Sequence, residues 1–85
     1  MTMNDHQDSE HFSYNRSWDD IETMLYEAEK QENYHFMQLK RKGISKKHRI
    51  FHMRKWKGLQ GVIAGLRWVL GDKNITRAEV LGKDD

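Results

Sequence analysis

The sequence predicts an all-α fold: an antiparallel helical hairpin with a short third C-terminal helix and a flexible N-terminal tail. Three observations lead there. The 85 residues include no proline. Apolar side chains recur at three- and four-residue steps through two long runs, which is the period of one helix face. Gly43 and Gly71 follow those runs, in the place where glycine closes a helix.

Residues 1–15 are polar and acidic, with too few apolar side chains to offset the entropy of ordering, and are expected to form a flexible acidic tail. Residues 16–85 then form a single helical domain. Its first helix is expected over about 17–42. Ser17 offers a hydroxyl to the free amides, and Asp19 and Asp20 sit at the positive end of the dipole. Trp18, Ile21, Leu25 and Ala28 set a stripe whose phase continues through Glu32 and His35 to Leu39, weakening in its middle. No residue stops the helix before Lys42, and Gly43 closes it.

Ser45 caps a second helix expected over about 45–70. The link is short enough to turn the chain back on itself. Trp56, Leu59, Ile63, Leu66 and Leu70 form the clearest heptad of the chain. A second stripe, Phe51, Val62 and Val69, runs beside it through Gly58 and Gly65. A helix apolar over most of its circumference needs cover on more than one side, and the first helix alone is too thin a cover. After Gly71, Thr76 with Glu79 three residues on reads as a capping box, and Ile75 with Val80 as a hydrophobic staple. A third helix of about 76–81 closes at Gly82.

Charge is distributed unevenly. Residues 1–39 carry nine acidic and two basic side chains, so net −7, whereas residues 40–57 carry nine of the fifteen Lys and Arg and no Asp or Glu. The nine are Lys40, Arg41, Lys42, Lys46, Lys47, Arg49, Arg54, Lys55 and Lys57, and the hairpin gathers them at its turn. Such density attracts phosphate backbones, and the interleaved His48, Phe51, His52 and Trp56 suit base stacking. A plainer reading stands beside this one: a solvated face whose Arg54, Lys55 and Lys57 pair with Glu27, Glu29 and Glu32 across the hairpin. An acidic protein is a third possible occupant.

His48 and His52 stand four apart, the spacing of two imidazoles sharing a metal, with His35 or Glu32 as a further ligand. The surrounding cations oppose that reading, so no metal is expected. Gly58, Gly61 and Gly65 each cost a helix roughly 1 kcal/mol against Ala, and close helix approach is the natural reason. The interface residues expected from this are Trp56, Leu59, Gly61, Val62, Gly65, Trp68 and Val69, serving packing within the chain or self-association. A domain of this size buries little surface, so a homodimer through the 58–70 surface is expected.

No enzyme signature is present: there is no phosphate loop, no Cys and no Ser in a nucleophile setting, so neither catalysis nor a cofactor is expected. Asp72, Asn74 and Thr76 alternate like the start of a calcium loop but lack its glycine and distal glutamate. The absence of cysteine fits a reducing compartment, and the acidic N-terminus lacks the basic and apolar regions of a secretory signal. The most apolar stretch, Leu59 to Leu70, is too short to cross a bilayer. A cytoplasmic location is expected.

The run KGLQGVIAGLRWVLGDKNIT, Lys57 to Thr76, resembles a segment of small phage-encoded proteins in which a Gly- and Trp-bearing apolar helix ends in a Gly-Asp turn. The resemblance covers about a quarter of the chain and transfers no site residue. It implies a small accessory protein, in host cytoplasm, that binds nucleic acid or inhibits a host protein. The reading that follows is a non-enzymatic module binding nucleic acid or another polyanion through the 40–57 turn. The alternative is an inhibitor or adaptor of a host protein acting through the apolar Gly/Trp helix 56–70.

Overall fold

The computed structural model describes residue 12 and residues 15–82, so the expected tail falls almost wholly outside the described residues. Three helices follow in order: α1, Trp18–Leu39; α2, Lys46–Val69; and α3, Arg77–Val80. The all-helical hairpin with a short third helix is therefore the observed architecture. α1 and α2 lie against each other, and among the described residues α3 packs on α2 and not on α1.

Each helix starts where a hydroxyl accepts an amide proton. Ser17 Oγ accepts from Asp20 N at 3.0 Å, Ser45 Oγ from His48 N at 3.2 Å, and Thr76 Oγ1 from Glu79 N at 3.0 Å. The ends differ. α2 closes in a Schellman arrangement: Gly71, at φ +92, donates to Trp68 O at 3.0 Å, and Asp72 donates to Arg67 O at 2.9 Å.

α1 stops at Leu39, three residues before the expected Lys42. Its last amides tighten, Lys40 N donating to Met37 O at 3.1 Å and Arg41 N to Gln38 O at 3.2 Å. The Arg41 guanidinium reaches back to Gln38 Oε1 at 2.8 Å. Three consecutive cations repel one another less in an opened turn than on one helical coil. Gly43, at φ +77, then belongs to the turn and not to the helix end.

The seam between α1 and α2 is only partly apolar. Ala28 and Ala64 are its buried apolar residues, while Ile21, Leu25, Leu39, Leu59, Ile63, Leu66 and Leu70 are half-buried. The weak middle of the α1 stripe is bridged by polar rungs. His35 Nδ1 lies 2.8 Å from His52 Nδ1, both rings buried. Trp56 Nε1 donates to Glu32 Oε2 at 2.9 Å, and the indole stacks on Phe36 at 5.6 Å between centroids. Arg67 pairs with Glu29 and reaches Asp72 at 3.7 Å. Among the described residues no large side chain is fully buried, so this hairpin leaves much apolar surface to solvent.

Candidate nucleic-acid interface

All nine cations of the 40–57 segment are exposed; the turn gathers Lys40, Arg41, Lys42, Lys46, Lys47 and Arg49 at one end of the hairpin, while Arg54, Lys55 and Lys57 lie further along α2, Lys57 at its middle. Lys40, Arg41 and Lys42 follow the C-terminus of α1, where positive charge is favourable. Lys46, Lys47 and Arg49 occupy the first turn of α2, with no acidic residue among them. A helix N-terminus favours carboxylates, so three cations there oppose the dipole.

The ion pairs among the described residues both involve Arg67, far from the turn. Of the three carboxylates expected to neutralise the basic segment, Glu29 is engaged by Arg67 and Glu32 by the Trp56 indole, and Glu27 forms no ion pair with the nine cations among the described residues. Four of the nine cations lie near rings or an amide of their own neighbourhood. Lys40 Nζ sits 4.5 Å from the Phe36 centroid, Lys55 5.7 Å from Phe51, Lys57 6.0 Å from Trp56, and Arg41 bonds Gln38. None of these contacts removes charge. Ile50, Phe51 and Met53 are exposed among the cations, and Tyr34 and Met37 beside them on α1.

The histidines divide differently from their sequence spacing. His48 Nδ1 lies 2.9 Å from Ser45 Oγ and belongs to the α2 cap, while His52 turns inward to His35. Among the described residues no three His, Cys, Asp or Glu gather as metal ligands. In the His35–His52 contact one Nδ1 donates and the other accepts, so the pair holds together when at least one ring is neutral. Burial, then His52 and Lys55, lower the His35 pKa below its ordinary 6.5. Tyr34 and Phe51 close over the pair with edge-on ring contacts. Sequence reading placed His35 in the α1 stripe and grouped it with His48 and His52 only as a further metal ligand, not as the direct hydrogen-bond partner of His52. The available signal was their near-equal distance from Gly43, eight residues before and nine after.

The seven expected interface residues lie on three surfaces. Trp56 and Leu59 face the seam. Gly61 lines a groove with Ile75 and Glu79, Gly65 lies under Val80, and Trp68 borders a groove with Arg77, Val80 and Leu81. Val62 and Val69 remain 46% exposed on a face that neither α1 nor α3 covers. Among the described residues no helix is long and apolar enough to cross a membrane. Comparisons with protein-family models, curated proteins and solved structures give no match for this chain.

Proposed function

We propose that this protein is a non-enzymatic module that binds a nucleic acid or similar polyphosphate through the tip of its hairpin. The observation that carries the reading is the unneutralised cluster: six exposed cations at the turn and three more along the adjoining half of α2, with no carboxylate paired to them among the described residues. Placing three of them at a helix N-terminus costs stability, which favours a role in binding over a role in folding. Phosphates at this end would also meet the free amides of the first turn of α2. The exposed Tyr34, with Met37 beside it, supplies apolar surface for bases next to the charge.

The test is binding of a labelled oligonucleotide to wild type and to a variant carrying Lys46→Glu, Lys47→Glu and Arg49→Glu. The expected result is loss of binding in the variant with α-helical content retained, and affinity in wild type that falls steeply with salt. Unchanged binding by the variant overturns the reading. A second reading rests on Trp68, a large ring 46% exposed in a groove with Val80 and Leu81, which fits a protein partner. That reading expects Trp68→Ala to remove partner binding while the charge reversals leave it intact.

A further inference from the structure

Among the described residues one face of the hairpin lacks a cover, and its side chains follow a heptad. Phe51, Lys55, Gly58, Val62, Gly65 and Val69 succeed one another at steps of four, three, four, three and four along α2. Phe51 is 48% exposed and Val62 and Val69 are 46% exposed. At about 100° per residue this stripe lies roughly a quarter turn from the seam with α1, and Trp68 lies roughly a quarter turn further round. α3 reaches only its edge, where Val80 Cγ1 is 3.9 Å from the position of a Cβ on Gly65. A Cβ on Gly58 would meet nothing within 4 Å.

Charge on this face is divided between its two ends. Near the tip a groove is lined by Lys47, Phe51, Arg54, Lys55, Gly58 and Val62. Toward the open end a second groove on the same side is lined by Arg16, Asp20, Met24, Glu27 and Leu66. The first is apolar and basic; the second is apolar with two carboxylates to one guanidinium, so acidic by one net charge.

We infer that this face is occupied by a second copy of the chain, packed antiparallel about a twofold axis midway between Gly58 and Val62. A twofold contact requires a surface complementary to itself, and this face meets the requirement twice. In charge, the antiparallel arrangement lays the basic groove of each copy over the acidic groove of the other, bringing Lys55 toward Asp20 and Glu27 of the second copy. In shape, the axis pairs positions whose numbers sum to 120. Phe51 then faces Val69, Lys55 faces Gly65, and Gly58 faces Val62, so each glycine stands opposite a larger side chain. These are the mixed pairings of an antiparallel heptad seam, and they account for the mid-helix Gly58, whose Cβ position meets nothing within 4 Å among the described residues. A parallel pairing would set Lys55 against Lys55 and glycine against glycine.

The contact does not depend on the tip binding an anion, and it is tested without nucleic acid. Sedimentation of the purified protein is expected to give twice the chain mass of 10.2 kDa. The lack of native cysteine allows the register to be read by disulfide capture. Phe51→Cys mixed with Val69→Cys is expected to give a covalent dimer under mild oxidation, and each variant alone is not. In the proposed register two copies of residue 51 lie about 27 Å apart, far beyond a disulfide. Val62→Glu is expected to give a monomer, and Lys55→Glu combined with Glu27→Lys to remain dimeric. A monomeric wild type overturns the inference, as does Phe51→Cys cross-linking to itself as readily as to Val69→Cys, or a dimer that gives no cross-link in the mixture.

Discussion

At the scale of single residues, the His35–His52 contact joins two buried ring nitrogens across the seam. An unpaired buried nitrogen costs about 1–3 kcal/mol, whereas replacing both partners by apolar groups of similar shape is close to neutral. His35→Leu alone is therefore expected to destabilise the chain in chemical denaturation, and His35→Leu with His52→Leu to recover most of that loss. The pair also makes stability depend on pH. Because the folded-state pKa of His35 lies below 6.5, both states are neutral above that value and nothing is lost there. As pH falls below 6.5 the unfolded chain takes up a proton that the folded chain resists, so stability declines until the folded-state pKa is reached. The double leucine variant is expected to show a flatter stability profile between pH 7 and 5, measured by denaturant midpoints. The phase of the α1 stripe already placed Glu32 and His35 inward. Their partners were not legible, because pairing depends on the axial alignment of two helices and sequence periodicity gives only the facing direction.

Element boundaries followed local chemistry closely wherever a cap is encoded. Ser17, Ser45 and Thr76 start their helices as expected, and Gly71 ends α2 in the left-handed conformation that glycine adopts without strain. The C-terminus of α1 came out differently, because charge repulsion among Lys40, Arg41 and Lys42 acts across residues that helix propensity treats as favourable. The same competition at the other side of the turn yields a prediction. Lys46→Glu and Lys47→Glu each place a carboxylate in the first turn of α2 and are expected to stabilise the fold by about 0.3–1 kcal/mol while weakening oligonucleotide binding. Opposite signs for stability and binding would mark these lysines as functional; a loss of both would mark them as structural. Gly58 behaves comparably within α2. Gly58→Ala is expected to raise helix stability by roughly 1 kcal/mol in dilute protein, yet to weaken self-association, since in the proposed dimer the added methyl would face Val62 of the second copy.

For the whole molecule, the sequence showed two surfaces, a basic turn and an apolar glycine-bearing helix, but not how they are divided in space. The hairpin directs most of the basic turn outward and splits the apolar helix among the seam, the α3 contact and one open face. Composition could not resolve that division, because Trp56, Val62 and Trp68 are equally apolar and differ only in angular position. The proposed antiparallel dimer would carry the Lys46–Arg49 turns to opposite ends, about 38 Å apart. That separation is slightly more than one turn of duplex DNA, roughly 34–36 Å. Affinity for duplexes is therefore expected to step upward once their length exceeds about one helical turn, and a monomeric Val62→Glu variant to lack the step.

The central claim, that the hairpin tip is a polyphosphate-binding site, is tested most directly by the salt dependence of oligonucleotide affinity, followed by fluorescence anisotropy between about 50 and 200 mM salt. The account predicts a steep linear fall of log affinity with log salt, and a slope shallower by about 2–3 when Lys46, Lys47 and Arg49 are replaced by neutral Gln. Affinity that is indifferent to salt, or a slope unchanged by the three substitutions, would contradict it.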